Sequence, residues 1–217
     1  TTTTTWIKGD SDGLLTITGG EIIPGKKGGT NFTNSLLLGH STTGTLSSAE
    51  QNVGIGINAL DAITSSDGNT AVGYNAGTNI TENSSYNTNI GNNAGFSIGN
   101  GGEYNVNVGA YSGFKNINGD RNTAVGSSAL QGQSSQSHSD NTALGYRSLF
   151  LNTIGTKNIA IGSYAGDNIT SGSGNIIIGS VDAASATGDR QLKIAGNDGS
   201  TTTTWISGDS AGALTFA

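Results

Sequence analysis

Nine times along this chain an aliphatic residue is followed by glycine, at nearly constant spacing. The glycines are Gly39, Gly56, Gly73, Gly91, Gly109, Gly126, Gly145, Gly162 and Gly179, and their successive numbers differ by 17, 17, 18, 18, 17, 19, 17 and 17. A short, strict period means a stack of like supersecondary units, none large enough to close a core alone. It points away from an enzyme, which needs a globular body with a cleft.

Aligned on their glycines, the units show further columns. The residue before each glycine is always aliphatic (Leu38, Ile55, Val72, Ile90, Val108, Val125, Leu144, Ile161, Ile178), which predicts a buried column. Four positions before the glycine stands Asn in eight units (52, 69, 87, 105, 122, 141, 158, 175), with Ser35 in the first. Asn side chains repeated at a turn can hydrogen-bond along a stack as a ladder. Small residues follow the glycine by three positions, and in seven units the next position holds either Gly (77, 95, 113, 166) or Leu (60, 130, 149).

The segment from Asn to Gly is short, strand-like in composition and bounded by turn formers. A later apolar spot (Ile63, Ile80, Ile98, Ile117, Ile154, Ile169) predicts a second short strand per coil. No stretch carries a sustained helical apolar stripe. The expected fold is all-β: a parallel β-solenoid of about nine 17–19-residue coils. At roughly 4.8 Å per coil its body is on the order of 43 Å long. The longest step, between Gly126 and Gly145, predicts a protruding loop from Gln131 to Asp140.

Composition sets the partners. Only 33% of residues are hydrophobic and 36 of 217 are Gly; one copy can bury only a thin core, so self-association is expected. A net charge of −6 opposes nucleic acid and anionic membrane surfaces. There is no Cys, and no run of about 18 apolar residues for membrane insertion. The chain also lacks Met and begins within a threonine tract, which predicts a piece of a longer protein.

The ends carry a second repeat. Thr2–Thr16 (TTTTWIKGDSDGLLT) and Thr201–Thr215 (TTTTWISGDSAGALT) match at twelve of fifteen positions, at a constant offset of 199. The expected division is therefore an N-terminal Thr/Trp connector or cap (1–33), the solenoid (34–183) and a C-terminal connector repeating the first (184–217).

The units 69–77 (NTAVGYNAG), 122–130 (NTAVGSSAL) and 158–166 (NIAIGSYAG) resemble the head repeats of trimeric autotransporter adhesins and related repeats of phage tail fibres. The resemblance covers residues 34 to 183. The repeats here are longer than those common in adhesin heads, and no membrane-anchor barrel or heptad stalk accompanies them. The resemblance implies a homotrimer of parallel, left-handed β-rolls, extracellular and non-enzymatic, binding a cell-surface glycan or receptor without a cofactor. The alternative is a structural spacer that holds a separate receptor-binding tip.

Candidate site residues are few. Aromatic side chains sit in turns or beside the glycine column, and Tyr104, Tyr111 and Phe114, in neighbouring coils, form the cluster best suited to stack on a glycan. His138, in the predicted loop, could contact a ligand. His40 and His138 are far apart in the chain, and both are expected at the surface with no metal or catalytic partner. Asp10-Ser11-Asp12-Gly13 is read as an acidic turn, since Asp209-Ser210-Ala211-Gly212 lacks its second carboxylate. Gly99–Gly102 has no Lys-Ser/Thr after it and is no phosphate loop. The carboxylates are scattered and suggest no glycosidase pair.

Overall fold

A computed structural model describes residues 7–9, 15–17, 25–40, 42–133 and 137–217. The described residues form strands and turns, with no helix. Strands β1 (Ile7–Gly9) and β2 (Leu15–Ile17) make a separate two-stranded antiparallel sheet. Next come β3 (Gly25–Gly29), β4 (Phe32–Leu38) and the two-residue β5 (Ala49–Glu50). Eight three-residue strands follow: β6 (Val53–Ile55), β7 (Thr70–Val72), β8 (Thr88–Ile90), β9 (Val106–Val108), β10 (Thr123–Val125), β11 (Thr142–Leu144), β12 (Ile159–Ile161) and β13 (Ile176–Ile178). The chain ends with β14 (Leu192–Asn197), β15 (Thr202–Gly208) and β16 (Leu214–Phe216).

One 14-stranded sheet runs β16-β15-β14-β13-β12-β11-β10-β9-β8-β7-β6-β4-β3 along its main path, with β5 pairing onto β4. From β4 to β14 every step is parallel and in strict register, Val53↔Thr70 and Ile55↔Val72 for example. This is a parallel β-solenoid of about nine turns. Its last rung, β14, lies beyond the repeat visible in the sequence. There Gln191 occupies the Asn position and Ala195 the Gly position, and the step is the shortest in the stack.

The glycine column is dictated by backbone geometry. These glycines have φ between 110° and 136°, a region that penalises any Cβ. Close stacking adds a second constraint: a Cβ on Gly73 would lie 2.5 Å from the Gly91 carbonyl oxygen, and one on Gly145 would lie 2.4 Å from that of Gly162.

The Asn column is a continuous buried ladder. Each Oδ1 accepts the backbone N–H of the next rung's Asn at 2.9–3.0 Å, from Asn52 to Asn175. Most also accept that residue's side-chain N–H. The Nδ2 groups donate onward to carbonyls across the coil, Asn122 to His138 at 2.7 Å and Asn141 to Gly155 at 3.0 Å. Ser35 opens the ladder and Gln191 closes it.

Which side chains face the core differs from the expected pattern. In a three-residue strand alternation turns only the middle residue inward. The buried positions are therefore Leu37, Ala71, Ala124, Ala143, Ala160 and Ile177, with Asn89 and Asn107 in two rungs. The aliphatic residues before each glycine, expected to be buried, point outward, as do those at the start of each strand. Ile55, Ile90, Leu144 and Ile161 are 37–45% exposed.

Among the described residues the later apolar spots Ile63 to Ile169 form no second strand. After seven of the nine glycines, Gly56 to Gly162, the backbone turns left-handed at the second and fourth positions, for example at Asn75 and Gly77, or Ser128 and Leu130. A chain that bends twice in so short a span cannot run extended. These turns still stack by hydrogen bonds from coil to coil, as in Gly95 N–H to the Ser112 carbonyl at 2.9 Å.

The apolar spot seven positions after the glycine is buried at Ile63, Ile80, Ile98 and Ile169. Ile117 and Ile154 are out of register with it; Ile154 is exposed, and Asn116 and Asn152 fill the inward position. Each satisfies itself locally, bonding the N–H of Gly119 or Gly155 with its Oδ1 and the carbonyl of the same residue with its Nδ2.

Size complementarity within a coil accounts for five of the seven Gly and Leu residues four positions after the glycine; the other two, Gly77 and Gly166, stand opposite the small Ala71 and Ala160, where a Cβ would come within 3.0 Å of Ile80 and 3.1 Å of Ile169. Opposite the small Gly54, Ala124 and Ala143 stand Leu60, Leu130 and Leu149, all buried. Opposite the larger Asn89 and Asn107 stand Gly95 and Gly113, where a Cβ would overlap the Asn amide oxygen. The apolar core falls into two clusters, Phe32 to Ile98 and Ala124 to Ala195, separated by the coil that carries Asn107 and Asn116.

Candidate functional site

Two surfaces stand out. The first is the outward face of the parallel rungs. Two columns run along it, Leu36 to Ile176 at the strand starts and Leu38 to Ile178 at the strand ends, all aliphatic apart from Thr70, Thr88, Thr123 and Thr142. Several of these aliphatics, Leu36, Ile55, Leu144 and Ile159 among them, are substantially exposed. Nine rungs at about 4.8 Å make the face on the order of 40 Å long.

The second surface is aromatic and flanks the first on both sides. At the corner before the strands, the residue ahead of each ladder Asn adopts positive φ, including Tyr86 (61°) and Tyr104 (57°). Because successive coils are in register, their rings stack at 5.2 Å with planes 13° apart. Both are half exposed. The Tyr86 ring lies over Gly68, where a Cβ would come within 2.7 Å. Further along this corner Arg121 grips Asp140 through Nε at 2.7 Å and Nη2 at 3.2 Å. That ion pair holds the Asp140 carboxyl below its usual range.

At the corner after the strands, Phe96 and Phe114 stack at 5.2 Å, and Tyr111 meets Phe114 edge-on at 5.3 Å. Tyr146 and Tyr164 pair edge-on at 5.2 Å, and the Arg147 guanidinium lies 3.9 Å over Phe150. The expected trio is thus divided: Tyr111 and Phe114 touch, whereas Tyr104 lies on the opposite side of β9 and pairs with Tyr86. Coil register decides this, since residues at equal offsets from the glycine stack and residues close in sequence need not meet.

Neither histidine is on the surface. His40 is buried, its Nε2 2.7 Å from the Ala59 carbonyl and its Nδ1 2.9 Å from Thr42 Oγ1. His138 is 2% exposed. Its coil has Gln133, which is exposed, where other coils place an inward Ile or Asn, and the imidazole fills the core instead. Neither ring nitrogen has a partner among the described residues. Burial pushes its pKa down to about 4. Residues 134–136, the middle of the expected loop, lie outside the described residues.

One carboxylate pair escaped the sequence reading. Asp167 and Asp182 meet across adjacent coils. Burial, followed by the hydrogen bond with Asp182, raises the Asp167 pKa to about 6. No motif marks such a pair; only coil register could have found it. Among the described residues no group of three or more His, Asp or Glu could hold a metal ion. Asp10–Gly13 lies outside the described residues. In the matching C-terminal turn the Asp209 carboxylate accepts the N–H groups of Ala211 and Ala213 at 2.9 and 3.0 Å.

Set beside known proteins, the chain matches no family, no curated protein and no solved structure.

Proposed function

We propose that this chain is a segment of an extracellular adhesive fibre, in which three copies pack as left-handed β-rolls through their outward aliphatic faces and display aromatic corners to a cell-surface glycan. The observation that carries the reading is the aliphatic face itself. A contiguous apolar strip of this length exceeds what monomeric proteins usually leave in water, and its strict register suits a parallel copy of the same surface. Parallel packing repeats each aromatic corner three times, so that weak stacking sites act together by avidity.

Two measurements test this. Light scattering at micromolar concentration should give three times the monomer mass, and Ile90→Arg with Leu144→Arg should reduce it to one. A monomeric wild type would end the trimer reading. On a glycan array, Tyr104→Ala or Tyr111→Ala with Phe114→Ala should remove binding while leaving the trimer intact. A wild-type trimer that binds no glycan would leave the segment as a spacer.

A further inference from the structure

We propose that the corner around Arg147, after strand β11, is a subsite for an acidic sugar, one whose ring bears a carboxylate. The inference rests on the glycan reading above and narrows it to one corner and one class of sugar.

The backbone builds this corner. The second residue after the glycine takes positive φ, 58° at Tyr111, 55° at Arg147 and 59° at Tyr164. From there its side chain meets that of the fifth residue after the glycine. Tyr111 lies edge-on to Phe114, and the Arg147 guanidinium lies over Phe150. Arg147 thus puts a cation in a place that Tyr111 and Tyr164 give to an aromatic ring. Coil register brings Tyr164 of the next coil to it, with the ring centroid 5.4 Å from the guanidinium carbon. Tyr164 in turn meets Tyr146, and the two tyrosines remain 41% and 45% exposed.

The charge of Arg147 is unclaimed by the fold. The chain has three arginines. Arg121 is paired with Asp140, and Arg190 reaches the Ser210 carbonyl through Nε at 3.5 Å. The Arg147 side chain makes no such bond with any described residue. Its Nε is buried without a partner, and the ion pairs among the described residues involve only Arg121 and His40. Two carboxyls stand in the next coils, yet Asp167 and Asp182 engage each other. In a chain of net charge −6, a guanidinium with no acidic partner is not there to brace the coil. Stacking on Phe150 fixes its plane and covers one face, so its bonding capacity lies at the edge. With Nε buried, the open part of that edge is the pair of terminal nitrogens.

That edge selects the ligand. Two parallel N–H groups match the two oxygens of a planar carboxylate. The exposed tyrosine rings beside them offer apolar surface to the C–H face of a sugar ring. A ligand that uses both has its carboxylate attached to the ring. A neutral sugar would use the rings and leave the cation without a partner. Asp167 and Asp182 oppose the ligand's charge, so neutralising one of them should tighten binding.

Trigalacturonic acid and its methyl ester separate these contributions, because esterification removes the charge and keeps the rings. Each is titrated into the full-length protein at neutral pH and followed by the tyrosine ring signals in NMR. The acid should bind at least about tenfold tighter than the ester. Arg147→Met should bring the two to equal affinity. Methionine, unbranched at Cβ like arginine, accepts the same positive φ, and an unchanged mass by light scattering shows that the variant is folded. Should it not fold, Arg147→Lys keeps the charge without the two-pronged edge and should cut the preference to less than about threefold. Asp167→Asn should tighten the acid about threefold and leave the ester unchanged. A wild type that binds the ester as tightly as the acid, or a folded Arg147→Met protein that keeps the preference, would overturn the inference and leave the glycan reading standing. Binding of neither probe by a wild type that takes neutral glycans on the array would do the same. Binding of no glycan at all would remove both.

Discussion

Acidification should destabilise this solenoid through one residue. His138 lies in the core with a pKa lowered from 6.5 to about 4 by burial. Between those values the unfolded state binds more protons than the folded one, so stability rises with pH. The contribution is complete above the unfolded value and is lost progressively as pH falls toward the folded one. Its full size is about 3 kcal/mol, and about 2 kcal/mol is gone by pH 5. The cause is that a charged imidazole would enter a site where neither ring nitrogen has a partner among the described residues. His138→Leu removes both the titration and the unpaired nitrogens, and should add about 1–3 kcal/mol at pH 7. Urea unfolding of wild type and variant at pH 7, 6, 5 and 4 isolates this residue, because every other titrating group is common to both. With only two histidines in the chain, NMR can also follow each ring directly. Parallel pH profiles for the two proteins, or a His138 ring titrating at its ordinary value, would refute the reasoning.

Three further outcomes follow from packing and charge. Asn105→Ala removes an Oδ1 that accepts two N–H groups of Asn122 and an Nδ2 that donates to Asn87 and Gly119; it should cost about 3–5 kcal/mol in urea unfolding, several times an exposed Asn→Ala change. Gly113→Leu should destabilise strongly, because its Cβ would overlap the Asn107 amide oxygen. Adding Asn107→Ala should restore most of the loss by copying the Ala124/Leu130 pairing, and a double-mutant cycle measures the coupling. The Asp167 pKa is raised to about 6 by burial and then by the hydrogen bond with Asp182, so its protonated form favours the folded state below the unfolded carboxyl value, and that contribution is lost as pH rises through the folded one. Asp167→Asn should flatten that part of the stability profile, read by thermal unfolding at mildly acidic and mildly alkaline pH.

The period, the glycine column and the Asn ladder were legible in the sequence because each is required at every coil by backbone geometry or by a buried hydrogen bond. The direction of the side chains was not. Ile55 and Leu144 read as core because apolar residues usually are, yet a three-residue strand has a single inward position, and Gly54 and Ala143 hold it. Under the proposed trimer, burial of these residues belongs to the assembly, and one sequence does not display that. His138 read as a loop residue because its coil is long; the structure shows that the coil also lacks the inward Ile, leaving space that an imidazole fills. The aromatic trio was chosen by nearness along the chain, whereas the coils pair Tyr104 with Tyr86. Rung β14 was invisible because Gln191 and Ala195 replace the two marker residues together.

The Asn ladder has a polarity of its own. Every rung accepts on its Oδ1 from the rung that follows, so the side-chain carbonyls all point toward the C-terminal end and their dipoles add along the stack axis. The arrangement is a side-chain counterpart of the helix macrodipole, positive toward Ser35 and negative toward Gln191. Bonds in such a line polarise one another, so replacing one amide in the middle would weaken the electrostatics of coils it does not touch.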